Sequence, residues 1–459
     1  MRVRGARDRG SQNRWFLRQL ILGAPVETDA TRMCELLVGL PDVNVLGVID
    51  EAGGPLIVRV ETRGPTPGCP GCGRAADLKD RDEVTHVDLP VFGRQAKLRW
   101  LKRRWRCLHC DCAVRSWTET DDEIALDGRQ VTTRAARWMT RQVGGHGRTV
   151  DEVAVDLGCD WHTVNDTVLE WGEALLAADS DRISEVRGLG LDETLFNRTG
   201  RWRTQAWCTS IVDVGRGQLL DVVLGRSAAG PARWLAEQPA GWLDSIEFGV
   251  LDLSGPYRAT FDTMLPGAHQ VADPFHVCKL ANERVDEVRR RVQNQTLGHR
   301  GRKHDPLYRA RRLLTKADEC LDDKGRTKLL GLLQAGDPHG EVRMAWHAKE
   351  VVRSIYDIGD HELAIEFVDR LATDLQDDSC PNEIARLGRT IARWATQITN
   401  WHRSGLSNGP TEAINNLIKR IKRIGFGFRR FRNYRIRALL YAGKPNWPLL
   451  NTLTPARIR

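Results

Sequence analysis

Two Cys-x-x-Cys pairs, Cys69-Pro-Gly-Cys72 and Cys107-Leu-His-Cys110, constrain this chain most tightly. Each fits a tight turn that presents two thiolates to one side, and two such turns close a tetrahedral metal site. Their facing members, Cys72 and Cys107, stand 35 positions apart, room enough for a hairpin. Val84–Leu89 and Lys97–Trp105 alternate apolar and polar residues as a hairpin requires. The pattern predicts a zinc ribbon in which Cys69, Cys72, Cys107 and Cys110 hold a structural Zn2+, the metal replacing a core too small to hold itself. His109 and Cys112 are left as spare residues. Eleven cysteines, an odd and largely scattered set, do not make the dense framework of a secreted disulfide domain.

Charge points to the partner. Lys and Arg number 69 against 60 Asp and Glu, a net charge of +9 that favours an anionic partner. The stretch Arg94–Arg106 carries seven basic residues and no acid, interleaved with Trp100 and Trp105. Arg99, Lys102, Arg103 and Arg104 are therefore candidate phosphate contacts, against the plainer reading of a solvated face. Residues 1–32 are Arg-rich without a period and read as a basic arm. No apolar run approaches the ~18 residues of a membrane span, and the short patch Leu20–Leu22 is too brief for a secretory core, so a soluble, cytoplasmic protein is expected.

Thr149–Val168 has a capped helix start, a break at Gly158 and a second helix opened by Asp160. Val150, Val153, Ala154, Val164 and Val168 fall on one face, leaving Trp161, His162, Thr163, Asn165 and Asp166 to face outward. A helix-turn-helix presents its second helix in this way to base edges, although an ordinary helical hairpin has the same weak signature.

Two predicted core strands run into acids. Val186–Leu191 leads into Asp192-Glu193, and Ile246–Leu251 leads into Asp252. An unpaired carboxylate at a core strand end is costly unless something binds it. Ala206–Val212, Leu219–Leu224 and His269–Ala272 read as further strands. A third acid, Glu412, opens a helix whose Asn415, Asn416, Lys419, Lys422 and Arg423 recur at helical spacing, with Ala413, Leu417, Ile421 and Ile424 expected to face the core. Acids with amides and lysines suit a metal and a phosphate backbone together.

At these residues the chain resembles the DDE transposases of the bacterial ISL-three insertion-sequence family. The shared motifs are C-P-G-C-G at 69–73, L-G-L-D-E at 189–193, L-D-L-S-G-P-Y at 251–257, A-D-P-F-H-V at 272–277 and S-N-G-P-T-E-A-I-N-N at 407–416, with the basic tail at 418–431. The resemblance implies a multidomain α+β protein: an N-terminal zinc ribbon, a helix-turn-helix, then a ribonuclease-H-like catalytic domain whose first three strands are antiparallel. It implies Asp192, Asp252 and Glu412 as catalytic acids holding Mg2+ or Mn2+, with Asp273 and His276 as possible auxiliaries. Double-stranded DNA is the implied partner, cut at the element ends and joined to a target by a homo-oligomer. The 160 positions between Asp252 and Glu412 imply a long helical insertion, within which Arg289–Arg312 holds nine basic residues.

The expected divisions are 1–32 arm, 33–118 β-rich region with the ribbon, 125–180 helix-turn-helix, 181–279 first part of the core, 280–406 insertion, and 407–459 final helix and tail. Two rivals remain at this point: a zinc-containing transcriptional regulator without catalysis, and a tyrosine recombinase, for which Tyr434 among arginines is the candidate nucleophile.

Overall fold

A computed structural model describes residues 27–455, so most of the basic arm expected over 1–32 lies outside the described residues. The chain divides into two compact units: the described residues up to Met139 together with Val150–Thr167, and Thr140–Thr149 together with the described residues from Val168 onward.

The first unit opens with helix α1 (Ala30–Val38), which Asp29 caps by accepting the Arg32 N–H at 2.7 Å. Its sheet holds β1 (Val43–Asp50), β2 (Leu56–Thr62), β3 (Asp77–Val91), β4 (Arg94–Arg106) and the short β5 (Ser116–Thr118), in the order β1-β2-β4-β3 with β5 on β4. Strand β4 shows why the sequence folds this way: Ala96, Leu98, Trp100 and Lys102 alternate inward, and the first three join Val43, Val58 and Val60 in the core. Lys102 is thereby buried, its ammonium 4.6 Å from the Trp100 ring centroid, rather than offered to a phosphate.

Helix α2 (Thr133–Thr140) ends in a π-turn over Arg141–Gly145. Helices α3 (Val150–Leu157) and α4 (Trp161–Ala178) follow, broken at Gly158, whose φ of +66° only glycine adopts freely. Asp160 accepts the Thr163 N–H at 2.8 Å and so opens α4. Val150, Val153, Ala154, Val164 and Val168 are buried as the periodicity predicts.

The second unit is built on a five-stranded sheet of order β10-β9-β6-β7-β8, from β6 (Gly188–Thr199), β7 (Thr204–Asp213), β8 (Gln218–Leu224), β9 (Phe248–Leu251) and β10 (His269–Ala272). β7 is antiparallel to both of its neighbours, β6 and β8, whereas β9 and β10 run parallel to β6. β6 continues to Thr199 on its β7 side, so Asp192 does not end the strand as expected; it ends only the pairing with β9.

Leu189, Leu191, Ile211 and Leu220 point to one face, toward α5 (Ala229–Ala236) and α7 (Gly255–Met264); α6 (Ala240–Asp244) lies between these two helices in sequence. The same core continues through a helical region of α8 (Pro274–Leu297), α9 (Pro306–Leu314), α10 (Asp323–Gly336), α11 (Glu341–Ser354), α12 (His361–Asp374), α13 (Asn382–Arg393) and α14 (Ala395–Thr399), whereas Trp401 of α15 (Trp401–Ser404) packs against Val214, Phe248, Val250 and Val271. The other face takes α16 (Gly409–Ile424) and α17 (Phe431–Ala442), where Ile414, Ile418, Tyr434 and Leu439 meet Phe196, Val212 and Val222. The buried face of α16 is Ile414, Ile418 and Ile421: Ile421 is buried as expected, whereas Ala413 is exposed and Leu417 and Ile424 are only half-buried, with Ile414 and Ile418 facing the core instead.

Candidate functional site

In the first unit four cysteine sulfurs come together, all within 4.8 Å of one another: those of Cys69, Cys72, Cys107 and Cys112. Cys69 and Cys112 approach to 3.7 Å, Cys72 and Cys107 to 3.6 Å. Cys110, expected as the fourth ligand, is exposed and outside the group. The reason is the chain reversal between β4 and β5. The Cys107 N–H donates to the Arg115 carbonyl and the Cys112 N–H to that of His109. Cys112 is thus brought back beside Cys107, while Cys110 is left toward the tip.

The second site lies at the carboxyl ends of three adjacent parallel strands, the place where such sheets bind ligands. Leu191 pairs with Leu251 and Leu251 with Ala272, and Asp192, Asp252 and Asp273 each come next. The alternation of Leu189-Gly190-Leu191-Asp192 sends both leucines into the core and turns Gly190 and Asp192 toward α16. A Cβ on Gly190 would overlap Thr411 Oγ1, so glycine permits the close approach of that helix.

Asp192 Oδ2 accepts from Asn415 Nδ2 at 2.6 Å, and Asn415 Oδ1 in turn accepts from Ser210 Oγ at 2.7 Å. Asn415, expected on the outward polar face, is buried and holds the acid from behind. Burial raises the Asp192 carboxyl above the usual range. Burial, with the like charge of Asp192 beside it, pushes Asp252 up to about 6. Asp252 Oδ1 is buried with no hydrogen-bond partner, an uncompensated acceptor that a cation fits.

Asp273 caps α8, and its Oδ2 bonds His276 Nδ1 at 2.8 Å, while Oδ1 accepts the Asn408 N–H at 2.8 Å just before α16. That bond raises the His276 pKa, and it leaves Nε2 to face Glu412 Oε1 at 3.9 Å. Glu412 lies in the first turn of α16 and is 44% exposed. Among the described residues the three carboxylates share one end of the sheet without closing to within 4.8 Å as the sulfurs do.

The expected nucleic-acid contacts divide. Arg99 faces Glu83, and Arg104 faces Asp80 and Asp82 on the neighbouring strand, so β4 loses the charge excess it shows alone. Arg103 is held by Glu119 at 2.8 Å. Trp161 and His162 are exposed, and Thr163 and Asn165 are half-buried. Lys419 and Arg423 are exposed, whereas Lys422 turns inward and donates to the Leu195 carbonyl at 2.7 Å. In the insertion, Arg289 is buried against Asp286 and Arg291 binds Glu341 and Glu383. Tyr434 is fully buried with its hydroxyl on Cys208, which removes it as a nucleophile. Among the described residues no helix is long and apolar enough to cross a membrane.

A family profile described as transposase matches residues 189–438, and a second, the zinc finger of the transposases of IS204, IS1001, IS1096 and IS1165, matches residues 65–110. The transposase of insertion sequence element IS1001 from Bordetella parapertussis is 26% identical over 375 residues, covering 79% of this chain and 85% of that one. The transposase of IS1557 from Mycobacterium tuberculosis is 26% identical over 446 residues, covering 87% and 92%. A solved Drosophila P element transposase strand transfer complex aligns with a TM-score of 0.39 at 10% identity, over 72% of this chain and 97% of that one. A four-cysteine zinc ribbon and a sheet that gathers carboxylates at its strand ends thus accompany a match over more than half the chain: it belongs to the ISL3 family of DDE transposases.

Proposed function

We propose that Asp192, Asp252 and Glu412 are the catalytic acids of this transposase, which cuts DNA at the ends of an insertion sequence and joins the freed end to a target. The observation that carries the assignment is the side-by-side emergence of Asp192 and Asp252 after the paired Leu191 and Leu251, with the first turn of α16 bringing Glu412 to His276 at the same end of the sheet. The strand order, three antiparallel strands followed by two parallel ones, supports a ribonuclease-H-like core in two parts, 181–279 and 407–459, interrupted by the helices of 280–406.

Divalent metal suits the acids, given the unsatisfied Asp252 oxygen; Mg2+ or Mn2+ bound there supplies Lewis acidity to the attacking and leaving oxygens. In the reaction a water or 3′-hydroxyl oxygen gives up its proton as it attacks phosphorus, the P–O3′ bond breaks, and the leaving 3′-oxygen takes up a proton. Asn415 fixes the orientation of Asp192, and Lys419, whose charge lowers the Asp192 pKa, faces the developing phosphate charge. His276 keeps one nitrogen on Asp273 and presents the other to Glu412 or a phosphate oxygen.

Cys69, Cys72, Cys107 and Cys112 are the proposed zinc ligands. Residues 125–180 act as a helix-turn-helix that reads double-stranded DNA through Trp161, His162, Thr163 and Asn165, with Lys419 and Arg423 on phosphates. The protein works as a homo-oligomer that pairs two element ends. The test is cleavage of a labelled duplex carrying the element's own end, with Mg2+, Mn2+ or EDTA, by wild type and Glu412→Gln. Metal-dependent nicking at the end, absent in the variant although DNA binding persists, is the expected result. Nicking retained by the variant would overturn the assignment.

A further inference from the structure

Phe426 stands apart from the machinery described so far. Its side chain is 96% exposed, the highest value of any large apolar side chain among the described residues, and its φ is +50°. An aromatic residue in the left-handed region is strained, and such outliers cluster at functional sites. Glycine stands on either side, yet phenylalanine occupies this position while Gly425 takes an ordinary φ of −82°.

The turn that holds it is stiff. The Gly425 N–H donates to Ile421 at 2.9 Å, that of Phe426 to Arg423 at 3.1 Å, and that of Gly427 to Lys422 at 2.8 Å. A Cβ on Gly425 would strike the Phe428 ring, which packs against the core formed by Phe196 and Tyr434. Phe428 therefore anchors the loop and Phe426 projects into solvent.

The charges around it sort in the same direction. Arg432 is bound by Glu173 and Arg435 by Asp221, and Lys422 donates to a carbonyl. Lys419, Arg423, Arg429 and Arg430 are exposed and have no carboxylate partner among the described residues. Glu412, Asn416, Lys419 and Arg423 follow one another at spacings of four, three and four, a single stripe of α16 that leads to Phe426. From Glu412 to Ile424 the helix rises about 18 Å, or roughly five base steps of DNA.

We infer that Phe426 is an aromatic wedge that inserts into a base step of the bound duplex about five base pairs from the bond being cut. Lys419, Arg423, Arg429 and Arg430 hold the flanking phosphates, and the ring replaces the stacking that the opened step loses. This rests on the reading of Glu412 as part of the cleaving centre.

The experiment scans 2-aminopurine through the eight base pairs on either side of the cleavage point in a duplex carrying the element end. Fluorescence is read with wild type, Phe426→Ala and Phe426→Tyr, and cleavage is followed on the same duplexes. Because the ring makes no core contact, Phe426→Ala keeps the fold, and equal melting temperatures verify this. The expected result is a rise at one or two adjacent positions with wild type and Phe426→Tyr, lost in Phe426→Ala together with about 5- to 150-fold in affinity, the range of ring–base stacking. The same fluorescence in all three proteins, or no rise in any while wild type still cleaves, overturns the wedge and leaves the cleavage reading standing. A wild type that binds this DNA without cutting it in Mg2+ or Mn2+ overturns both.

Discussion

Asn415 donates its side-chain amide to Asp192 at 2.6 Å and accepts the Ser210 hydroxyl at 2.7 Å, so the helix that carries Glu412 also clamps the first acid of the sheet. Partners of this kind orient a ligand carboxylate, and losing one typically costs 10–100-fold in metal affinity or activity. Asn415→Ala is expected to lower single-turnover cleavage by about that factor, 10–100-fold, and to raise the Mg2+ concentration needed for half-maximal rate. Binding of the element end, measured in EDTA, stays near wild type. An unchanged metal titration would show that the clamp does not hold a metal-binding acid.

Asp252 connects activity to stability. Its carboxyl is pushed up to about 6, so the folded protein binds this proton more tightly than the unfolded chain does. The metal-free protein bears no cost below about pH 4, where the group is protonated in both states. The cost grows as pH rises, to at most about 3 kcal/mol above pH 6. Asp252→Asn is therefore expected to raise the melting temperature in EDTA at pH 7.5 but not at pH 4, while abolishing cleavage. Melting curves at the two pH values check the sign.

The four sulfurs give a clean contrast between neighbours. Cys112→Ser is expected to release zinc and loosen the ribbon, whereas Cys110→Ser retains one zinc per chain. Metal content by atomic spectroscopy on the purified variants distinguishes them. Zinc lost from the Cys110 variant alone would restore the C-x-x-C assignment.

Gly190 permits α16 to lie close against β6. A methyl at this position meets Thr411 Oγ1, and overpacking of a dense core costs about 1–3 kcal/mol. Gly190→Ala should lower both the melting temperature and cleavage, and adding Thr411→Ala should recover part of each. Urea titration of the two variants tests the coupling; strictly additive losses would mean that the two residues do not meet.

How much was legible in the sequence depends on whether the signal was local. Alternation in Lys97–Trp105 marks β4, short apolar runs mark β7 and β8, and L-G-L-D and L-D point to neighbouring acids, since each of these signals lies in adjacent residues, although β6 runs on past Asp192 along β7. In α16 the sequence pattern places Ile421 correctly but takes Ala413 and Leu417 for core residues where Ile414 and Ile418 are buried. Its buried face includes Thr411 and Asn415, polar residues that hydropathy assigns to solvent and that are buried here because the Gly190 gap and Asp192 lie opposite. C-x-x-C spacing is a local rule that points to Cys110, whereas the fourth sulfur, that of Cys112, is chosen by the return of the chain toward β5. Arg99, Arg104 and Arg106 read as free in the sequence because their acids stand on β3, while Arg94 and Arg103 meet Asp50 and Glu119 elsewhere in the chain, pairings that only the fold reveals.

The helical region between β10 and α16 also sets a timetable. Glu412 is made 160 residues after Asp252, and at about 5–20 residues per second that interval lasts roughly 8–30 s. Throughout it the emerging polypeptide already has its zinc ribbon and both strand-end aspartates but lacks the glutamate. On the proposed assignment of Glu412 as the third acid, the cleaving centre is complete only after that interval.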